Sequence, residues 1–213
     1  MLPGILKKII RFYFITDDSV PDLSPLDQVN IAIEAGATII QYRNKGFVLN
    51  DFEEVVAIGN LCKKSYIPFV VNDNILLARA VSADGVHLGQ EDEDPAIARS
   101  VLGPEAIIGV SVHDPEELKK TDLSCCNYIG TGPVFPTSTK ADTQKVRGLS
   151  NLEAVAQNSP LPVVAIGGIT GSNAASCFEH GATGIAVISA ITRSKDPEKS
   201  ARELSRACGC RPL

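Results

Sequence analysis

The chain has 213 residues, with 25 acidic and 20 basic side chains and a formal net charge of −5. Hydrophobic residues make up 44% and charged residues 21%, which is apolar enough for a sizeable core and too poor in charge for disorder. The acidic balance argues against a broadly basic, nucleic-acid-binding surface. The longest uncharged interval, 154–178, is broken by Pro160, Pro162, Gly167, Gly168 and Gly171 and does not suit a membrane-spanning helix. Lys7, Lys8 and Arg11 interrupt the apolar N-terminal residues, leaving no stretch suited to a signal peptide. The six cysteines, at 62, 125, 126, 177, 208 and 210, include no Cys-x-x-Cys pair. Reduced structural thiols and a cytoplasmic location are therefore expected, with no zinc site.

Eight short, mostly continuous apolar runs read as parallel strands covered on both faces: 12–16, 38–43, 68–71, 85–88, 106–112, 128–134, 162–166 and 184–188. Helical signals lie between them. Ser24-Pro25 opens a helix through Ile33 that Gly36 stops. After Asn50-Asp51, an apolar stripe of Phe52, Val55, Val56, Ile58, Leu61 and Cys62 follows. Asp94-Pro95, Asp114-Pro115 and Asp196-Pro197 each combine an N-cap with proline at the first helical position. The strands recur roughly every 25 residues, the length of a strand, loop, helix and loop. An α/β chain of this kind, a single domain over residues 1–213, is expected to be a (β/α)8 TIM barrel. An open doubly wound sheet is the alternative, because strand order is not visible in the sequence.

In such a barrel the reactive groups sit at the C-terminal strand ends. The second strand ends in Gln41-Tyr42-Arg43-Asn44-Lys45, the third in Asn72-Asp73 and the fourth in Gly89-Gln90-Glu91-Asp92. The fifth carries Ser111 and His113, and the sixth runs into Thr137-Ser138-Thr139-Lys140. Gly167-Gly168 after the seventh and Ser189 after the eighth have the layout of a barrel phosphate site. Arg43, Lys45 and Lys140 form a cationic set suited to a second, more highly charged phosphate group. Asp73 and Asp92 end consecutive strands and suit Mg2+, with helix capping by Asp73 as the competing reading. Glu91 and Asp94 lie close enough to be confused with these ligands. Among the histidines, His87 reads as packed core, His180 as a helix C-terminal residue, and His113 as an uncommitted acid or base.

These segments together resemble the thiamine-phosphate synthase family. The resemblance is carried by Tyr13-Phe14-Ile15-Thr16-Asp17, Gln41-x-Arg43-x-Lys45, Asn72-Asp73, the run from Ala83 to Gln90 with Asp92, and Gly109-Val110-Ser111. It continues through the run from Tyr128 to Lys140, then 165–169 and 186–189. The resemblance implies a (β/α)8 barrel that joins a pyrimidine diphosphate to a thiazole phosphate with release of pyrophosphate. It implies that Gln41, Tyr42, Arg43, Asn44, Lys45, Asn72, Ser111 and Lys140 hold the pyrimidine diphosphate. Arg43, Lys45, Ser111 and Lys140 would act in catalysis, and Asp73 and Asp92 would bind Mg2+. Thr137, Ser138, Thr139, Gly168, Ile188 and Ser189 would hold the thiazole phosphate. The expected partners are therefore small-molecule substrates, with neither nucleic acid nor membrane, and a homo-oligomer is compatible with the sequence. Two rival readings are a thiazole tautomerase, which would not need the full diphosphate and metal set, and a non-catalytic barrel that binds a phosphate ligand.

Overall fold

The computed structural model describes residues 3–137 and 145–212. The strands are β1 (Phe12–Ile15), β2 (Ile39–Tyr42), β3 (Phe69–Asn72), β4 (Gly85–Leu88), β5 (Ile107–Ser111), β6 (Tyr128–Thr131), β7 (Val163–Ile166) and β8 (Gly184–Val187). All pairings are parallel and follow chain order, and β1 pairs with β8, so the sheet closes into a barrel. Closure removes the open-sheet alternative. The helices are α1 (Pro3–Ile9), α2 (Pro25–Glu34), α3 (Phe52–Lys64), α4 (Ile75–Ala80) and α5 (Pro95–Leu102). They continue as α6 (Pro115–Lys120), α7 (Gly148–Asn158), α8 (Ala174–Glu179), α9 (Ser189–Thr192) and α10 (Pro197–Ala207). No helix among the described residues is long and apolar enough to cross a membrane.

The helix starts follow from side-chain chemistry. Asp94, Asp114 and Asp196 each accept backbone N–H groups in the first turn, from Ala96, from Glu116 and Glu117, and from Lys199 respectively. Ser24 does the same for Asp27. Each cap satisfies a donor that the helix itself cannot, and the following proline supplies a preset φ. At α4 the cap is Asn74, whose side chain accepts the Leu77 N–H at 2.8 Å. Asp73 is thereby not needed as the cap, and its carboxylate stays at the rim.

Strand periodicity separates two packed layers. Phe12, Phe14, Ile40, Tyr42, Phe69, Val71, Val86 and Ile108 pack outward against the helices. Tyr13, Ile15, Ile39, Val70, Ile107, Tyr128, Val164 and Ala186 fill the barrel. β6 stops at Thr131, short of the expected 134, because Gly132 leads into Pro133, which has no N–H for the ladder.

α1 is not among the helices expected from the sequence. This helix is only seven residues long and carries Lys7 and Lys8, too short to be stable by propensity. Its Leu6, followed by Ile10, joins the barrel-filling cluster and closes the N-terminal mouth, and Ile10 is fully buried. Tertiary contact therefore holds the helix in place. Ile10→Ala should destabilise the chain by about 2–5 kcal/mol in urea unfolding. A loss well under 1 kcal/mol would show that Ile10 adds little to the barrel-filling core.

Candidate active site

The C-terminal strand ends open into two adjoining cavities that share Ser111, His113, Gly130, Ile166, Ala186 and Ile188. The larger, ≈ 880 Å³, is lined by Gln41, Arg43, Lys45, Asn72, Asp73, Asp92 and Ser111 among others. Residues 41, 43 and 45 share this wall because side chains alternate along β2 and its extension. The same alternation sends Tyr42 and Asn44 elsewhere. Tyr42 is buried in the sheet–helix layer, and the Asn44 amide donates to its hydroxyl at 3.2 Å and to Asp51 Oδ2 at 3.0 Å. Neither lines the larger cavity.

Asp73 and Asp92 line the same cavity wall, near enough for the Asp92 carboxylate to act on Asp73. Asp92 Oδ2 also accepts the Gly89 N–H at 2.6 Å, which fixes the β4 turn. Asp73 sits at φ 62°, in the left-handed region that aspartate tolerates better than most residues. Its carboxyl is pushed up to about 6, by burial first and then by Asp92, against the opposing pull of Lys45 and Arg43. A carboxylate pair and a cationic pair thus face one another in a partly desolvated wall.

The smaller cavity, ≈ 370 Å³, is lined by Thr137, Gly167, Gly168, Ile188 and Ser189 among others. Gly168 has φ 64°, and a Cβ there would lie 2.4 Å from the Pro136 carbonyl oxygen. Only glycine lets the loop after β7 approach the loop after β6 this closely. Asn173 clamps the turn, donating to Gly168 O at 3.0 Å and accepting the Thr170 N–H at 2.8 Å. Ser138, Thr139 and Lys140, the other expected residues of the sixth loop, lie outside the described residues.

Beneath both cavities a chain of polar groups joins Gln41 and Ser111, both expected at the site, through Tyr13, Tyr128 and His87, which were not. Gln41 Nε2 donates to the Tyr13 hydroxyl at 2.9 Å, and the Tyr13 and Tyr128 hydroxyls bond at 2.8 Å. His87 bridges Tyr128 (3.0 Å at Nδ1) and Ser111 Oγ (3.1 Å at Nε2). Burial holds both phenols far above the ordinary tyrosine range, so they stay protonated. His87 therefore does more than pack, since it connects Ser111 to the barrel interior. Its signal in the sequence was parity: residues 85 and 87 alternate with the outward-facing Val86 and Leu88.

Two further pairs line the larger cavity. His113 Nδ1 bonds Glu117 Oε2 at 2.8 Å. Asp17 Oδ2 accepts from Arg193 Nε at 3.0 Å. Burial alone would raise Asp17, but its bonds to Ser19 and Arg193 outweigh this and hold it below the usual carboxylate value. Asp94 is accounted for as the α5 cap, and His180 caps α8 with Nδ1 2.8 Å from Ser176 O.

Comparison with known proteins agrees with this geometry. Residues 12–191 match the family model described as thiamine monophosphate synthase. The chain is 40% identical over 206 residues to the thiamine-phosphate synthase of Bacillus velezensis, covering 94% of this chain and 92% of that one. It is 39% identical over 196 residues to that of Vibrio campbellii, covering 91% and 96%. Among solved structures, the thiamine phosphate pyrophosphorylase of Pyrococcus furiosus superposes with a TM-score of 0.86 at 36% identity, covering 96% of this chain and 98% of that chain. The orotidine 5′-phosphate decarboxylase of Pyrococcus horikoshii, at 14% identity and a TM-score of 0.65, shares the fold alone. With the model match spanning nearly the whole barrel and the identities holding across it, this chain belongs to the thiamine monophosphate synthase family.

Proposed function

We propose that this chain is a transferase of thiamine biosynthesis that joins an aminopyrimidine methyl diphosphate to a (carboxy)thiazole phosphate and releases pyrophosphate. The observation that carries this reading is the shared wall of the larger cavity, where Arg43 and Lys45 face the Asp73–Asp92 pair beside a glycine-built lobe. A diphosphate needs that density of cations, and a thiazole phosphate suits the smaller lobe. A tautomerase would need neither pair. Its small-molecule chemistry suits a cytoplasmic protein.

The acidic pair fits a hard divalent cation. Two carboxylates in contact cannot both ionise cheaply, and oxygen donors without histidine or cysteine suit Mg2+. Among the described residues no set of three or more His, Cys, Asp or Glu is preassembled for a metal. Two carboxylates completed by phosphate oxygens and water are the usual arrangement for this ion. When bound, Mg2+ would supply positive charge to the departing diphosphate.

The chain's own residues do the rest in this reading. Arg43 and Lys45, with Lys140, bind the diphosphate and stabilise its charge as the methylene C–O bond breaks and its electron pair leaves with pyrophosphate. The aminopyrimidine delocalises the positive charge left on the methylene carbon, and the thiazole nitrogen lone pair forms the new C–N bond. Gln41, Asn72 and Ser111 orient the pyrimidine. Thr137, Ser138, Thr139, Gly168, Ile188 and Ser189 hold the thiazole phosphate in line. No protein nucleophile is required.

The purified chain, given both substrates and Mg2+, should release pyrophosphate and thiamine phosphate in equal amounts. Tight ligand binding without product would favour a non-catalytic barrel instead. Arg43→Ala should lower kcat/KM by about 10²-fold or more, with partial recovery in Arg43→Lys. Gly168→Ala should raise the KM for the thiazole phosphate by roughly tenfold, with a smaller change for the pyrimidine diphosphate.

Asp73 yields a paired prediction. Its folded value of about 6 exceeds the ordinary 3.8. Ionising it therefore costs stability as pH rises between those values, and the whole cost remains above them. Asp73→Asn should raise the thermal midpoint in EDTA at about pH 8, lose that advantage near pH 3, and abolish turnover. An unchanged midpoint at pH 8 would remove the like-charge cost, and wild-type turnover would remove Asp73 from the metal site.

A further inference from the structure

The two cavities meet where the two substrates of the proposed reaction must join. Of the residues they share, only Ser111 and His113 carry polar side chains. Ser111 Oγ is bonded to His87 Nε2 at 3.1 Å. Among the described residues, His113 is the only ionisable side chain that lines both cavities, and the only one that lines the smaller cavity at all. The bond-breaking and bond-forming steps leave this ring without a role so far.

His113 is held in one orientation. Glu117 Oε2 accepts both its backbone N–H and its ring Nδ1–H, the latter at 2.8 Å. From α7, Asn151 Nδ2 donates to the His113 carbonyl at 2.9 Å. Glu117 is fixed in turn, because Asp114 Oδ1 accepts its N–H at 2.9 Å and Arg147 Nη1 donates to Asp114 Oδ2 at 2.9 Å. A carboxylate at Nδ1 sets the tautomer: the neutral ring carries its proton there and keeps Nε2 as an acceptor. Among the described residues Nε2 has no hydrogen-bond partner. A ligand at the junction that meets a ring nitrogen therefore meets Nε2.

The two substrates offer one N–H donor at this place. The thiazole nitrogen must arrive with a bare lone pair, since it forms the C–N bond. The pyrimidine carries its amino group on the ring carbon next to the one that bears the methylene. The amino group therefore reaches the junction together with the reacting carbon. We propose that His113 is a further catalytic residue of this reaction, whose Nε2 accepts a hydrogen bond from the pyrimidine amino group, with Glu117 as its positioning residue. This assignment rests on the synthase reading and gives that reading a contact to the developing cation.

The contact strengthens as the reaction proceeds. When the methylene C–O bond breaks, its electron pair leaves with pyrophosphate, and the amino nitrogen shares the positive charge left on the methylene carbon. Its N–H becomes a stronger donor, so the bond to Nε2 is tighter in the transition state than in the bound substrate. Glu117 polarises the ring through Nδ1–H and makes Nε2 a better acceptor. The thiazole lone pair then forms the C–N bond, the charge passes to the thiazole nitrogen, and the amino group keeps both protons. No proton changes hands.

The test crosses the variant with a change in the substrate. The altered substrate is the pyrimidine diphosphate with methoxy in place of the amino group, which still donates electrons to the ring but has no N–H. On the ordinary substrates with Mg2+, His113→Ala should lower kcat roughly 10- to 100-fold, read as thiamine phosphate formed. On the methoxy substrate, wild type and His113→Ala should differ by less than about threefold in pyrophosphate release. His113→Gln, which retains an acceptor oxygen, should recover part of the rate on the ordinary substrates. Glu117→Ala should show the same substrate dependence with a smaller loss. An equal loss on both substrates would make His113 structural and overturn the proposal, as would a His113→Ala kcat within about twofold of wild type on the ordinary substrates. Either result leaves the synthase reading standing, which fails only if the wild-type chain makes no thiamine phosphate. Should His113→Ala fold poorly, His113→Gln and Glu117→Ala carry the same comparison. Should the methoxy substrate prove unreactive, the absence of any recovery in His113→Gln overturns the proposal.

Discussion

Closing eight short parallel strands into a ring imposes one constraint on which everything else depends. Each strand must send alternate side chains into the barrel and out to the helices. Outward positions are bulky and apolar because helices cover them, as with Phe12, Ile40, Val86 and Ile108. Inward positions divide by depth. Near the N-terminal mouth they are apolar and meet Leu6 and Ile10. Toward the C-terminal rim they become Gln41, Asn72, His87 and Ser111, with Arg43 and Lys45 on the continuation of β2.

That gradient lets a net acidic chain hold a concentrated cationic site. Arg43 and Lys45 are brought to one wall by strand parity, and the Asp73–Asp92 pair faces them from the next two strand ends. In a partly desolvated pocket these charges act on one another and on a ligand far more strongly than on the open surface. The carboxylate pair is a destabilised arrangement without a cation, and strain of this sort is characteristic of sites organised around a ligand. The tyrosine–histidine chain below the cavity keeps the floor rigid, because each buried hydroxyl and ring nitrogen in it has a partner.

The two ends of the barrel carry different side chains. Loops at the C-terminal rim carry the phosphate-directed residues, while the other end is closed by α1, Arg11 and the reversal after α10.

The sequence by itself determined the strand positions, the repeated Asp-Pro helix starts and the cluster of polar residues at strand ends. These are local properties, written in hydrophobic runs, capping chemistry and spacing. It also placed Arg43, Lys45, Asp73 and Asp92 on one rim, since strand ends and their order suffice for that. Only the tertiary structure decided the rest. Ring closure required pairing between β1 and β8, residues far apart in the chain. Asn74 rather than Asp73 capped α4, a choice made by backbone geometry at φ 62°. Parity turned Tyr42 and Asn44 away from the cavity, although they sit between two cavity-lining cations. His87 reads in the sequence as packed core, and Tyr13 and Tyr128 only as members of apolar strand runs, because apolar bodies and polar tips are indistinguishable in a one-dimensional pattern. Their function as a connected network depends on distances between β1, β4 and β6 that exist only once the barrel has closed.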